Sequence, residues 1–517
     1  MKKAFSGFVL GILGLLLAAC DSNDSVQNIS TNPSANHQTL TVVTPWEITS
    51  ADPSKSGYIF QRLQLAETLV DSDSSGKIIP ALAESWSHNA QLDTWTFVLR
   101  NVKFHDNSSL TAEDVVKSLQ VALSKPTVLK SAFIKNITAL DVQTVQFQLE
   151  KPLAFFPAYL THATAIILAK SSFDEQNNVV KLVGTGPYQV VKLEPPQKIE
   201  QTAFSDYWGD KAKIANITYL ANSRSETRAL LAQSNQDHLV FNLDAASLAR
   251  LQQDSNLNVQ SKSIARTIQF KVNVANPLFS DINVRQALSD AIDRKGIAES
   301  VLRINNGAAE QLFPAIFADW RLNVTVAQKP DYAEIKNRLI NLGFTADEKG
   351  MLSKDGMPFK FTLRTFSDRP ELPIIATALQ NQWKQIGVDV AVSVGNFSEI
   401  PAGHQDGTLE MALYARNYGM IPTPIGVLMT DFASEGNDWG VMNWHNDKLT
   451  AALNELQSTA DNEHQFALKQ KISGIIYTEK PITPVVFYQQ NVVAHNSLKG
   501  LELDAFERTF NLNKLSW

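Results

Sequence analysis

Cysteine is the scarcest residue in this 517-residue chain, which has one, at position 20. A single cysteine excludes an intramolecular disulfide framework and any zinc site built from several cysteines. Positive charge is not in excess either, because 46 Lys and Arg stand against 52 Asp and Glu, for a formal charge of −6. The sequence therefore lacks the basic footprint of a nucleic-acid-binding protein, and we expect no nucleic-acid partner.

Catalytic and metal-binding motifs are also missing. The sequence contains no GxSxG, HExxH, Walker or GxGxxG pattern, and its nine histidines are dispersed with no pair at i,i+4 spacing. Ser74 and Lys77 have the spacing of a serine–lysine hydrolase motif, but their neighbours favour a strand–turn–strand segment. We therefore expect neither an enzyme nor an intrinsic cofactor.

Long hydrophobic runs are absent after the first twenty residues, so nothing later in the chain predicts a membrane-spanning helix. What is present is an ordinary apolar share of 44% over a length that predicts two or three domains with sizeable cores.

The first twenty residues have the composition of a bacterial lipoprotein signal. Lys2 and Lys3 are followed by an apolar run that is short for a membrane span, and then by LAAC, which ends at Cys20. This pattern matches a lipobox and predicts lipidation of Cys20. An ordinary signal peptide followed by a stray thiol is the alternative.

We therefore predict a signal peptide over residues 1–19 and a lipidated flexible tether over residues 20–39. Residues 21–38 contain four Ser and four Asn and almost no large apolar side chains, so they cannot bury enough surface to fold. Asp21 directly after the cysteine fits retention at the inner membrane in enterobacterial lipoproteins. The lipid anchor is the one membrane contact that we expect.

Strand-like and helix-like segments alternate through the remaining chain, which predicts an α/β fold. Strands are expected at 40–43, 94–99, 388–394 and 482–488. Helices are expected at 115–123, 284–301, 331–342 and 375–386, the first of them after an N-cap at Thr111.

Several motifs along these elements occur in the order found in one known family. They are ALAESW (81–86), WTFVLR (95–100), VKFHD (102–106), LTAEDV (110–115), GTGPY (184–188), FSDINVRQAL (279–288), AIDR (291–294) and NVVAH (491–495). In this order they resemble the bacterial extracellular solute-binding proteins, family 5, which serve peptide, nickel and opine ABC importers. The resemblance runs from about residue 40 to the C-terminus.

This resemblance implies an α/β fold of the two-lobed periplasmic-binding-protein type, with an extra subdomain and a two-strand hinge. Lobe I would comprise residues 40–62, 180–265 and 485–517, the extra subdomain residues 63–180, and lobe II residues 266–484. It further implies a monomer that closes on its ligand and docks on an ABC permease and ATPase complex. The expected location is the periplasmic face of the bacterial inner membrane.

The ligand is expected to carry negative charge. Peptide-binding members of the family use an Asp for the peptide ammonium, but the stretch 413–422, aligned on Pro422, has Tyr418 at that position and Arg416 two residues earlier. A buried ammonium without a carboxylate is costly, whereas Arg presents a fork to carboxylates. The alternative is that Arg416 pairs with a nearby acid such as Glu410.

Two further stretches, 44–60 and 364–373, resemble the nickel and metal-chelate branch of the family. In the second, Arg369 lies in a polar loop from which it can reach the cleft or pair with Asp368 or Glu371. The expected cleft walls are aromatic, although such residues more often belong to a core; the candidates are Trp46, Tyr58, Trp439 and Trp444. His495 is the candidate for an extra nickel ligand.

We therefore predict a lipoprotein that delivers a nickel–amino-acid complex of the histidine type, or a related metal chelate, to a permease. The chelated metal would be cargo rather than a resident cofactor. A di- or oligopeptide is the alternative cargo of the same importer family.

Overall fold

The computed structural model describes residues 39–234, 237–325, 329–367, 369–432 and 437–517. The predicted signal peptide, Cys20, Asp21 and nearly all of the tether lie outside these residues, and so does Asp368.

Strands and helices alternate along the described chain, so the α/β prediction is confirmed. The strands are β1 (Thr39–Thr44), β2 (Val70–Ser72), β3 (Ile78–Pro80), β4 (Ala83–His88), β5 (Thr94–Leu99), β6 (Ile134–Ala139), β7 (Thr144–Leu149), β8 (Tyr188–Glu194), β9 (Lys198–Ala203), β10 (Asn216–Ala221), β11 (His238–Phe241), β12 (Leu257–Val272), β13 (Thr345–Ala346), β14 (Leu352–Lys354), β15 (Met357–Pro358), β16 (Lys360–Phe366), β17 (Asp389–Gly395), β18 (Met411–Asn417) and β19 (Ile482–His495). The helices are α1 (Pro53–Arg62), α2 (Ala112–Leu123), α3 (Phe156–Tyr159), α4 (Ser225–Ser234), α5 (Ala245–Leu251), α6 (Ile282–Asp290), α7 (Tyr332–Asn341), α8 (Glu371–Gln385), α9 (Glu399–Gln405), α10 (Ile425–Asp431), α11 (Asp447–Ser458) and α12 (Asn462–Glu479).

The largest sheet in the described part of the chain has ten strands in the order β17-β16-β18-β12-β19-β11-β1-β10-β9-β8. One end combines parallel β1, β10 and β11 with antiparallel β8 and β9. The other end has β16 parallel to both β17 and β18. Each end packs its own helices around an apolar core, and the strands that join the two ends are β12 and β19.

Strands β12 and β19 form a long antiparallel ladder that runs from Leu257 opposite His495 to Lys271 opposite Ile482. The register shifts between Ser263 and Thr267, at the middle of the ladder, where a bulge bends the strands. β12 pairs with β18 from Arg266 onward, so the same strand belongs to both ends of the sheet. This geometry gives the predicted two-strand connection between the lobes.

A separate four-stranded sheet, in the order β4-β5-β7-β6, lies within the segment predicted as the extra subdomain. Helix α2 begins with a capping box in which the Thr111 side chain accepts from the Asp114 N–H and Asp114 binds back to the Thr111 backbone. β2 and β3 form a hairpin, which confirms the strand–turn–strand prediction around Ser74 and Lys77. The residue boundaries of the three predicted regions stay a prediction.

The core of this segment is continuous with apolar residues from the second half of the chain. Phe97, Phe147 and Phe156 pack edge to face or tilted against one another, and the same buried cluster includes Ile421 and Ile425. The backbone N–H of Ala154 also donates to the Gln457 carbonyl at 2.7 Å. The extra segment therefore packs against the second half of the chain.

The helix predicted over 284–301 is wrong as one continuous element. α6 ends at Asp290, and a new helical turn begins after Asp293, whose carboxylate accepts from the Gly296 N–H at 2.7 Å. The Asp293 N–H is bound by the Gln382 side chain at 3.0 Å, which holds the break in place. Apolar periodicity continues across the break because both pieces face the same core. No helix among the described residues combines the length and apolar character needed to cross a bilayer.

Replacing Trp383 by Ala tests the core of the end that contains β16–β18. Trp383 is fully buried, packs edge to face on Phe270 and Phe361, and donates from Nε1 to the Leu288 carbonyl at 2.8 Å. We expect a loss of about 3–5 kcal/mol in the free energy of unfolding, from the cavity and the lost hydrogen bond. Urea unfolding measures it. Phe466→Ala, at a side chain that is 49% exposed, should change stability by less than about 0.5 kcal/mol, and equal losses for the two variants would contradict this packing.

Candidate functional site

A cavity of about 720 Å³ lies where the two ends of the main sheet meet. Its walls follow the carboxyl ends of parallel strands β1, β11 and β16, the position at which open α/β sheets bind ligands. The lining residues are Pro45, Trp46, Ser223, Ser225, Arg228, Asn242, Leu243, Asp244, Phe366, Arg369, Pro370, Glu371, Phe397, Ala415, Arg416, Trp439, Tyr488, Gln489 and Asn491. Its size suits a small organic molecule or a small complex.

A larger groove of about 970 Å³ lies between the extra segment and residues 315–320. No arginine lines that groove, and its wall consists largely of apolar and small side chains. The 720 Å³ cavity is the better candidate because charged, polar and aromatic groups converge on it.

Arg416 lies on the cavity wall, but its fork is largely occupied. Its Nε and Nη2 donate to the two carboxylate oxygens of Asp431 at 2.7 and 2.6 Å, and Asp431 is completely buried. Arg416 therefore does pair with an acid, as the alternative prediction held, but the acid is Asp431 and not Glu410. The Glu410 carboxylate accepts from the Thr362 N–H instead. Of the three guanidinium nitrogens of Arg416, Nη1 has no hydrogen-bond partner in the described part of the chain.

Tyr418 does not lie on the cavity wall, which corrects its predicted role as a ligand contact. It is fully buried, it packs edge to face on Phe313, and its hydroxyl donates to Gln269 Oε1 at 2.9 Å. The side chain amide of Gln269 in turn donates to the Tyr414 hydroxyl at 3.1 Å. Tyr418 therefore supports the wall from behind.

Arg369 lies on the wall with its guanidinium carbon 5.3 Å from the centre of the Tyr488 ring. No ion pair joins it to Glu371, and within the described part of the chain its guanidinium has no hydrogen-bond partner. A guanidinium in this state is ready to bind a carboxylate from the ligand.

Two further arginines surround Glu507 close to this position. Arg266 Nη2 lies 2.8 Å and Arg62 Nη2 3.5 Å from the Glu507 carboxylate oxygens, and Arg62 Nε donates to its carbonyl at 2.6 Å. Burial raises the pKa of the Glu507 carboxyl, but Arg266, Arg62 and Arg369 together hold it below its usual value. Three guanidiniums thus act on one carboxylate, which leaves an excess of positive charge.

Sequence patterns give no sign of this cluster. Arg62 ends α1, Arg266 lies in β12, and Glu507 follows β19 near the C-terminus, so no local spacing relates them. Arg62 is also the residue that joins the cluster to the aromatic wall, with its guanidinium 4.3 Å from the Trp46 ring centre and 5.4 Å from that of Tyr58. The structure therefore brings Trp46 and Tyr58 together through an arginine, as a cation–π stack, but only Trp46 of the two lines the cavity.

Two other predicted residues are not brought to the site. Trp444 is buried in the core, stacks edge to face on Phe432 and donates to Glu479 Oε2 at 2.9 Å, so it does not wall the cavity. His495 ends β19, roughly 13 Å along the strand from cavity residue Asn491 at about 3.4 Å per residue. Its Nδ1 is bonded to Ser497, and the described residues contain no cluster of three His, Cys, Asp or Glu fit for a metal. Both roles are corrected.

The model of the bacterial extracellular solute-binding proteins, family 5 (middle region), matches residues 77–439. The chain belongs to this family. It is a solute-binding protein and not an enzyme.

Curated relatives of this family 5 protein differ in the ligands that their names state. It is 25% identical over 451 residues to the nickel-binding protein NikA of Staphylococcus aureus, which covers 86% of this chain and 87% of that one. It is 24% identical over 465 residues to the dipeptide-binding protein of Escherichia coli, which covers 83% and 84%. Similarity at this level does not separate the two ligand classes.

The crystal structure of NikA from Brucella suis in complex with Fe(III)-EDTA superposes with a TM-score of 0.83 at 21% identity, over 92% of this chain and 99% of that one. NikA from Staphylococcus aureus in complex with Ni(L-His)₂ gives a TM-score of 0.75 at 23% identity, over the same shares. Both likenesses show the fold, and the two-lobed binding-protein prediction is confirmed.

The Trp439 wall of the family 5 protein is held from behind by buried polar groups. The Tyr414 hydroxyl donates to the Trp439 carbonyl at 2.7 Å, and Lys271 Nζ donates to the Asp438 carbonyl at 2.6 Å and lies 2.7 Å from His404 Nδ1. Lys271 is completely buried, and burial lowers its pKa to about 7, against the opposing effects of Asp431 and Asp438.

Lys271 should make the stability of the family 5 protein rise with pH. Because its pKa is about 7 when folded and about 10.5 when unfolded, the unfolded chain binds one more proton between these values. Below pH 7 the buried charge of Lys271 lowers the free energy of unfolding, and this loss is recovered as the pH rises toward 10.5. Urea unfolding between pH 7.5 and 9.5 should show a flatter pH dependence for Lys271→Met than for the wild type, by up to about 1.4 kcal/mol per pH unit. Parallel curves for the two proteins would contradict the buried charge.

Breaking the Arg416–Asp431 pair should destabilise the protein strongly. Asp431→Asn leaves the guanidinium of Arg416 without its carboxylate in a buried position, and we expect a loss of about 3–5 kcal/mol in urea unfolding. The double variant Arg416→Met/Asp431→Leu should recover most of this loss, because it removes both charges. A double variant as unstable as the single one would argue against an unpaired charge as the cause.

Proposed function

We propose that this protein is the substrate-binding lipoprotein of an ABC importer, and that it captures a nickel–amino-acid complex of the histidine type or a related metal chelate. Closure of the two lobes around the 720 Å³ cavity would enclose the complex for delivery to a permease and ATPase complex. Cys20 would anchor the protein, as a monomer, at the periplasmic face of the inner membrane.

The unoccupied guanidinium of Arg369, beside the Arg62–Arg266–Glu507 cluster, is the observation that supports a carboxylate-bearing ligand. Positive charge remains in excess there, and the cavity is also lined by the aromatic side chains of Trp46, Tyr488 and Trp439. A small complex that displays carboxylates and has flat organic rings suits this combination. With Tyr418 behind the wall and Arg416 largely paired, Arg369 becomes the principal proposed anchor.

A short peptide is the second candidate, and one feature of the cavity favours it. Glu371 supplies a carboxylate on the wall, where a peptide ammonium could be received. The absence of an Asp at the position of Tyr418 therefore does not remove every acidic group from the cavity.

Calorimetry of residues 21–517, emptied by unfolding and refolding, tests the proposal. Ni(II) with excess L-histidine should give saturable binding, Ni(II) alone should give little, and Arg369→Ala should weaken binding by about 2–5 kcal/mol through loss of a buried carboxylate contact. Arg250→Ala, at an exposed arginine on α5, is the matched control and should bind as the wild type does. Heat from a dipeptide but none from the nickel–histidine mixture would overturn the nickel assignment in favour of the peptide.

A further inference from the structure

Glu371 is a carboxylate on the cavity wall, and one of its two oxygens has no hydrogen-bond partner in the described part of the chain. It is the first residue of α8, two residues after Arg369, and its Oε1 is buried with no hydrogen bond. Asp244 lines the same cavity but is fully engaged, since it caps α5 through the Ser247 N–H and accepts from the Ser225 hydroxyl. Leaving a buried carboxylate oxygen unpaired costs about 1–3 kcal/mol or more, so a donor is missing from this position.

Within the described part of the chain, Tyr488 makes a side-chain hydrogen bond with Glu371, while the Oε1 atom of Glu371 stays without a partner. The strongest recorded effect of Glu371 is on Tyr488, whose pKa burial raises to about 12 with Glu371 adding to that rise. Arg369 acts on the same tyrosine in the opposite direction. An acidic and a basic group therefore both act on Tyr488, and no ion pair joins the two among the described residues.

Asn242 provides a second acceptor without a donor. It follows β11 on the opposite wall of the cavity, its backbone N–H donates to the Asn491 carbonyl at 3.0 Å, and its Oδ1 is buried with no hydrogen bond. Two buried acceptors thus line one cavity, one from each end of the main sheet, while the arginines supply donors.

We propose that Glu371 determines ligand specificity by accepting a hydrogen bond from an N–H group of the ligand, with Asn242 as a second acceptor. The inference rests on the proposed function and deepens it, because it selects among chelates. A histidine chelate keeps an imidazole N–H in addition to its carboxylates, so it can satisfy both the acceptors and Arg369. An aminopolycarboxylate chelate displays acceptors alone, and it would place carboxylate oxygens against Glu371.

The expected discrimination is large. A site built to hydrogen-bond a polar group rejects an analogue that lacks it by about 10⁴-fold, since the buried partner is then left unpaired. Like charge at Glu371 adds repulsion to that loss.

Titration of residues 21–517 with two probes, Ni(II)–L-histidine and Ni(II)–EDTA, tests this assignment. The wild type should bind the histidine complex at least 100-fold more tightly. Glu371→Gln should weaken the histidine complex by at least tenfold and strengthen the EDTA complex, so that the preference narrows. Glu463→Gln, which removes the same charge from the exposed first turn of α12, should leave both affinities unchanged.

Equal wild-type affinities for the two complexes, or a preference that Glu371→Gln leaves intact, would overturn the role of Glu371 while nickel-chelate binding itself stands. Failure of the wild type to bind either complex would instead refute the proposed function. L-alanyl-L-alanine is then the probe, and its ammonium supplies the donor. Weaker dipeptide binding by Glu371→Gln would support the acceptor role, and unchanged binding would overturn it.

Discussion

The antiparallel ladder between β12 and β19 is the constraint on which the site depends. Both strands run through the two ends of the main sheet, so a single set of backbone hydrogen bonds fixes where each end lies along the ladder. Arg266, Gln269 and Lys271 lie on β12, and Tyr488 and Asn491 lie on β19. The register of the ladder shifts between Ser263 and Thr267, beside these residues.

Charge in the cavity is distributed unevenly, and the uneven distribution has a consequence for binding. Arg416 is almost neutralised by Asp431, whereas Arg62, Arg266 and Arg369 act on the single carboxylate of Glu507. In a partly buried site such an excess is costly until an anion arrives. Three guanidiniums on one carboxylate therefore leave positive charge in excess beside the cavity.

The aromatic wall is positioned by polar groups that never meet the ligand. The Trp439 carbonyl accepts from the Tyr414 hydroxyl, and the neighbouring Asp438 carbonyl accepts from Lys271. Tyr418 is connected to Tyr414 through Gln269. A chain of buried hydrogen bonds of this kind has few alternative arrangements, because each group that loses its partner costs free energy. The wall is consequently stiff, and its shape is set by residues up to two contacts away.

Much of this could be predicted from the sequence. Ordered motifs from residue 81 to residue 495 identified the family and hence the two-lobed fold, and the Thr111 capping box, the strands at 94–99 and 40–43 and the hairpin around Ser74 followed from local patterns. Local apolar periodicity failed at 284–301, because the Asp293 cap that ends the helix leaves the periodicity intact. Trp46 and Arg369 were both expected at the cleft and do line the cavity, and Trp46 lies in a loop directly after the strand predicted at 40–43.

Sequence by itself determined most of the elements and the family, and it led to the prediction of a carboxylate-bearing ligand, since those depend on local patterns and on their order. Only the tertiary structure decided that Asp431 forms an ion pair with Arg416, that Tyr418 and Trp444 are buried, and that His495 lies outside the cavity. It also brought Arg62, Arg266 and Glu507 together from three distant segments and left the Oε1 atom of Glu371 without a hydrogen-bond partner among the described residues. Ion pairing and burial depend on which strands become neighbours in space. That arrangement exists only once the sheet has formed, so local sequence patterns do not contain it.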